Sequence, residues 1–545
     1  VSLTMTARRR RPSPGRLLLA FGGVVALAAA LLVVVARPAA AAAIDTDAYY
    51  VLVNRHSGKA MDVWEWSTDN GGEIRQYDNL GGHNQQFRFV SAGDGYYVLV
   101  NRHSGKAVDV WEHSTADGAE IRQYDVTHGH NQQFRVVDSA GGDVRLVNRN
   151  SGKALEVWEW STDNGARLSQ YTDHDGANQR WQLVRVDGNG GGGGTGECGS
   201  GSYHAEVTRN GGTWTARNGG STRYTGSDML QAMRAAVDSL TPGRTSKERV
   251  VVRGSGTVSA ASSLDLPSHT VLEVCGTIDV TGSPSANNAV VRIRNAHNVE
   301  VPHITVTGSP YFGIFVRNAS DVHFGQLDLR LSGGLGVRVD NHDNRGVRTR
   351  NVSIDHVYVS GTGNHGVETY GVDGLDIGTV VARDTAYSGL LLNDTINATV
   401  DLVDAENAGT GTGYAAFRMA NRNGRVGDGY PVNIRVGEVR ARGGGRGVFC
   451  VSESGGAVID RIDLAGTGNN AILIENCYNV TLANQSGTVR DSGEIRIAAR
   501  SEFPNTADVT IQNLTVTNTA IRESPCGDNV TFRNITRNNS SYNVC

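Results

Sequence analysis

"GVRVDN" (residues 336–341), "GVETYG" (366–371) and "GLLLND" (389–394) are successive versions of one short string, and their alignment decides the fold of most of this chain. The series continues in both directions. VVRIRN (290–295) and GIFVRN (313–318) precede it, while AFRMAN (416–421), GVFCVS (447–452) and AILIEN (471–476) follow. The second and fourth positions are apolar almost throughout, as in Val337/Val339, Leu390/Leu392 and Phe417/Met419. A period of two in a common phase stacks those side chains inward, rung upon rung. The sixth position repeats asparagine (Asn295, Asn318, Asn341, Asn421, Asn476), an expected ladder at a recurrent bend. A repeat of roughly 23–30 residues is one coil of strands per rung, and it disfavours a left-handed helix or a propeller.

A second repeat lies upstream. "VLVNRHSGKAMDVWEWSTDNGGEIRQYDNLGGHNQQF" starts at Val51, and close copies follow at Val98 and Val144. Asn54, Asn101 and Asn148 are 47 residues apart, as are Tyr77, Tyr124 and Tyr171. Short alternating runs between Gly/Asn/Asp turns predict three units of about four strands each. Each unit ends in Gln-x-aromatic: Gln85–Phe87, Gln132–Phe134 and Gln179–Trp181.

On these repeats, residues 46–185 resemble the ricin-B-type β-trefoil lectins, which also serve as carbohydrate-binding modules. The resemblance implies one sugar pocket per lobe, made by an acid, an aromatic platform and an Asn–Gln pair. The matching residues are Asp62, Tyr77, Asn84 and Gln85 in lobe one, and Asp109, Tyr124, Asn131 and Gln132 in lobe two. Lobe three offers Glu156, Tyr171, Asn178 and Gln179, where the longer acid is expected to displace its carboxylate. A carboxylate accepts from vicinal hydroxyls and an aromatic face stacks on a pyranose, whereas the glutamines also suit a purely structural role. Residues 250–545 look like a right-handed, single-stranded parallel β-helix of the pectin-lyase type. The whole chain is therefore expected to be all-β.

The flanking segments complete the organisation. A basic start and an apolar run over 1–43 read as a signal peptide, with an uncleaved anchor as the alternative. Residues 186–200 read as a Gly-rich flexible linker, and 201–249 as a cap for the coil, with an amphipathic helix at 227–240 capped by Ser227. The six cysteines suggest disulfides in a secreted, extracellular protein: Cys198 with Cys275, Cys526 with Cys545, and Cys450 with Cys477 as a pair or two buried thiols. A formal net charge of -4 gives no footprint for nucleic acid. A monomer, free of the membrane after cleavage, is expected.

Candidate chemistry lies at the third and fifth string positions, which face outward: Phe315/Arg317, Arg338/Asp340, Glu368/Tyr370, Leu391/Asn393 and Arg418/Ala420. Arginines suit uronate carboxylates, with Phe315, Arg317 and Asn393 as further substrate contacts. Asp340 and Glu368 lie one rung apart and two residues offset, about 8 Å between backbones. That is compatible with the roughly 6.5–9.5 Å of an inverting glycosidase. Asn364-His365-Gly366 resembles the Gly-His-Gly of polygalacturonases, and Arg418 resembles their later arginine. Gly334 and Leu335 stand where that family's paired aspartates would be, so its mechanism does not carry over. The expectation is a glycosidase acting on a pectic or other uronate polysaccharide. A lyase using Arg338, Arg418, His365 or Tyr370, with calcium at Asp340 and Glu368, is the alternative. A non-catalytic adhesin is the third. No lysine follows Lys247, which removes the usual lysine base. No cofactor is otherwise expected.

Overall fold

The computed structural model describes residues 44–46, 48–139, 142–186 and 198–545, so the expected signal peptide and most of the linker lie outside the described residues. In the N-terminal domain twelve strands, Tyr49–Asn54 through Trp181–Arg185, pair antiparallel, and the last closes on the first with Val51 opposite Val184. The repeated asparagines stitch the lobes together. Nδ2 of Asn54, Asn101 and Asn148 donates to the carbonyl of Asn178, Asn84 and Asn131 at 2.8, 2.9 and 2.9 Å. Phe87, Phe134 and Trp181 fill the shared core. The domain is the expected β-trefoil.

From Glu248–Arg253 onward the remaining strands pair in parallel, in a long-strand sheet and a 12-stranded short-strand sheet. Val337, Val367, Leu390, Phe417, Val448 and Ile472 stand in register across the short-strand sheet. Together with Val339, Thr369, Leu392 and Met419 they are completely buried. The chain thus winds a β-solenoid around one continuous core. Phe417→Ala is expected to cost about 3–5 kcal/mol, read as a lower denaturation midpoint; an unchanged midpoint would contradict its inward position.

The asparagine ladder has a conformational cause. Asn295, Asn318, Asn421 and Asn476 adopt φ of 51°, 48°, 55° and 53°, the left-handed region that asparagine tolerates better than other side chains. Asp394 shares the column at φ 40° and pairs with Arg348 at 2.7 Å, a structural role. The helix Met229–Asp238 packs into the start of the coil through Met229, Leu230, Met233 and Val237. Its N-cap is Asp228 rather than Ser227, because the Asp228 carboxylate accepts the Gln231 N–H at 3.0 Å. All three cysteine pairs form disulfides, Cys450–Cys477 included. Among the described residues no helix is long and apolar enough to cross a membrane.

Candidate functional site

Two regions carry the sequence-derived residues. On the short-strand sheet, the outward column Arg338, Glu368, Leu391, Arg418 and Phe449 lies in register. Arg338 joins the two carboxylates: Nε donates to Asp340 Oδ2 at 2.9 Å and Nη1 pairs with Glu368 Oε2. Asp340 is also gripped by Arg317, Nε to Oδ1 at 2.5 Å and Nη2 to Oδ2 at 2.9 Å. Burial works against its charge, but the Arg317 and Arg338 guanidiniums hold the carboxyl below the usual range.

This geometry changes several assignments. Asp340 is 0% exposed with both oxygens engaged, so it orients two arginines and cannot reach a substrate. Arg338 bridges Asp340 and Glu368, the two carboxylates considered as calcium ligands for a lyase. Phe315 is fully buried, with Phe312 and Arg317 against its ring at 4.8 and 4.6 Å, and offers no face to a sugar. Asn393 is buried too. Its Nδ2 donates to Glu368 Oε1 at 3.2 Å and its Oδ1 accepts from Asn421 at 2.8 Å, so it positions Glu368. His365 accepts the Ser388 N–H at Nδ1 (3.0 Å), and burial pushes its pKa down to about 3. It is a neutral structural imidazole.

Glu368, Tyr370 and Arg418 keep partial exposure, Glu368 with Oε2 on Arg338, Oε1 on Asn393 and a side chain 12% exposed. Burial raises the Glu368 pKa against the pull of Arg338. Tyr370 lies two residues along on the same face, edge-on to His342 at 4.8 Å. Arg418 has no carboxylate partner among the described residues, and its buried Nε has no hydrogen-bond partner. Its guanidinium lies near Tyr414 and Phe449, 6.0 and 5.3 Å from the ring centres. Tyr414 stacks on Tyr387 at 3.9 Å, and His365 abuts both rings. Strand alternation could not reveal this aromatic pair because it sits in the turns. Its signal was a third column, Asn364–Tyr387–Tyr414, each two residues before its strand string.

In the trefoil, each acid is held by the expected pair. Asp62 Oδ2 accepts from Asn84 and Gln85 at 3.0 and 2.9 Å, and Asp109 Oδ2 from Asn131 and Gln132 at 2.9 Å each. Glu156 Oε2 receives the same two bonds from Asn178 and Gln179 at 3.1 Å, so the extra methylene is absorbed without loss of the arrangement. The glutamines are spent internally. Gln85 also donates to the Asp78 carbonyl and accepts from Leu80 N, and Gln132 and Gln179 repeat the pattern. They position the acid instead of meeting a ligand. Asn131 and Asn178 each keep a buried Oδ1 without a partner. Tyr124 and Tyr171 are 38% and 37% exposed, open platforms beside those acids.

Lobe one differs: it lies against the outer face of the solenoid's long-strand sheet. Trp66 packs on His356 and Tyr358 at 4.9 and 5.3 Å, and Tyr77 Oη donates to Asp404 at 3.2 Å. Arg440 pairs with Asp78 at 2.7 Å. Burial in this contact pushes the Asp62 carboxyl up to about 8.

Residues 42–124 and 130–193 match the family described as ricin-type beta-trefoil lectin domain-like. No curated protein matches the chain. Among solved structures, the designed threefold-symmetric protein ThreeFoil is 54% identical over 25% of this chain and 99% of its own (TM-score 0.25). An exo-beta-1,3-galactanase from Clostridium thermocellum is 39% identical over 26% of this chain and 31% of its own (TM-score 0.26). The Rhizoctonia solani agglutinin is 22% identical over 27% and 100% (TM-score 0.25). With three acid–Asn–Gln pockets in threefold register, the N-terminal domain of this chain belongs to the ricin-type β-trefoil lectin-like family.

Proposed function

We propose that this is an extracellular carbohydrate-active enzyme that cleaves a uronate-containing polysaccharide on the short-strand face of the solenoid, while the trefoil holds glycan. The observation that carries the reading is Arg418, a half-buried guanidinium without a carboxylate partner among the described residues, beside an aromatic pair and a partly exposed glutamate. Burying a cation without a partner is costly, and a uronate carboxylate would supply the missing bidentate acceptor. The three disulfides suit an oxidising compartment.

β-Elimination fits these residues better than hydrolysis. It needs a cation beside the uronate carboxylate, a base for the adjacent C–H and an acid for the leaving oxygen. Arg418, Glu368 and Tyr370 fill those roles in turn. A carboxyl group with a raised pKa is the stronger base once ionised. Hydrolysis by paired carboxylates would need a second accessible acid, and Asp340 is shut behind two arginines. The raised pKa of Glu368 also suits a general acid, which keeps hydrolysis as the second reading.

The test is a comparison of a polyuronate with its carboxyl-reduced counterpart. Only the charged polymer should be cleaved, and Arg418→Gln should raise KM for it by about tenfold or more. Equal cleavage of both polymers would remove Arg418 from the account.

A further inference from the structure

We propose that the sugar pocket of lobe one is a socket for the solenoid, so that the intact chain presents sugar sites only in lobes two and three. The inference rests on the reading that the trefoil binds glycan, and it adds which lobes do so.

The three lobes are near copies, yet among the described residues the solenoid covers the acid–Asn–Gln pocket of lobe one. Around Asp62, Asn84 and Tyr77 the solenoid contributes His356, Tyr358, Val381, Arg383 and Glu406, leaving a cavity of about 40 Å³. That space holds one or two waters and no pyranose ring. The closing contacts are specific. Arg383 pairs with Asp404 at 2.8 Å, and Asp404 in turn accepts the Tyr77 hydroxyl. Asp404 thus ties the hydroxyl of the aromatic platform to the solenoid. Arg330 donates to the Trp66 carbonyl, and Thr379 Oγ1 to the Leu80 carbonyl at 3.4 Å.

Symmetry breaking in the sequence explains why lobe one is chosen. Trp66 corresponds to His113 and Trp160, and Leu80 to Thr127 and His174, each 47 residues on. Only lobe one has an apolar side chain at both positions. Trp66, Leu80, Tyr358 and Val381 form one apolar cluster across the boundary. Asp78, the partner of Arg440, corresponds to Asp125 and then Thr172, so lobe three has also lost that charge. In lobe three the counterpart of Trp66, Trp160, stays 47% exposed, whereas Trp66 is 5% exposed. Burying Trp66 supplies the hydrophobic gain that holds the lobe down.

The experiment counts sugar molecules bound per chain, by calorimetric titration and native mass spectrometry, using lactose and N-acetylgalactosamine as probes. Two sites are expected in the intact chain. Tyr124→Ala and Tyr171→Ala should each lower the count by one. The pair Val381→Arg and Arg440→Glu, both on the outer face of the solenoid, should free lobe one and raise the count to three. Hydrogen exchange provides a readout independent of sugar and of those variants. Residues 76–85 should exchange at least about tenfold more slowly than 123–132 and 170–179. Three sites in the unmodified chain, or equal exchange in the three lobes, would overturn the proposal alone. No binding of either probe, with lobe one protected, would overturn the glycan reading and the proposal with it.

Discussion

Glu368→Gln should lower cleavage of a uronate polymer by about 10²–10⁴-fold, the range contributed by a positioned proton-transfer group, while binding of the polymer persists. The substitution keeps the shape and can keep a bond to Asn393, but it removes the ionisable group facing the sugar. Loss should appear in kcat and kcat/KM together, the signature of an interaction made in the transition state. Asp340→Asn gives the contrast. Asp340 is fully buried between Arg317 and Arg338, so its loss leaves buried cations poorly compensated and should destabilise the fold by about 3–5 kcal/mol. A stable Asp340→Asn protein that lost only kcat would return Asp340 to the chemistry and favour hydrolysis.

Acidification should loosen lobe one from the solenoid. His103 of the trefoil and His356 of the solenoid both pack against Trp66, at 5.0 and 4.9 Å. Burial pushes their pKa values down to about 4 and about 3. His103 faces Asp328 and Arg330, and His356 faces Gln326 and His103. Farther along the contact His83 stacks on His303 at 5.9 Å, with Arg102 nearby, and burial lowers both pKa values. A depressed histidine pKa favours the neutral form in the docked state. Docking is therefore unaffected above the ordinary histidine value of about 6.5 and weakens as pH falls toward the docked values. At pH 5 each histidine freed to solvent costs about 2 kcal/mol of docking, so the two beside Trp66 weaken the contact by about 4 kcal/mol. The protection factor over residues 76–85, each rate being referred to the intrinsic amide rate at its own pH, should fall between pH 7 and pH 5 while the trefoil core stays protected. Unchanged protection across that range would show that the histidines are not released on opening.

Both folds were legible because each rests on a repeated local rule. Val337, Leu390 and Phe417 share a phase that stacked strands satisfy, and the Asn295–Asn318–Asn421 column marks a left-handed bend at several coils, though Asn341 in the same column does not adopt it. The trefoil lobes advertise themselves by a 47-residue period. The site was legible only in part. Alternation identified Glu368 and Arg338 as outward, but facing outward does not mean reaching solvent. Phe315, Asp340 and Asn393 point away from the core and are still covered, by arginines and by neighbouring rungs. That depends on side-chain pairing across coils, which a one-dimensional phase does not contain. Tyr387 and Tyr414 escaped because turns have no period-two signal. The docking of lobe one depends on Leu80 and Trp66 meeting Tyr358 and Val381, hundreds of residues away in sequence, and only the folded arrangement reveals that partnership.

Mass spectrometry of the products after incubation with a polyuronate separates elimination from hydrolysis. Oligosaccharides lighter by one water than hydrolysis products are expected, absent with Glu368→Gln and with the carboxyl-reduced polymer. Saturated products would replace elimination by hydrolysis at the same face. An uncleaved polyuronate panel, with sugar binding by the trefoil intact, would contradict the enzyme reading altogether.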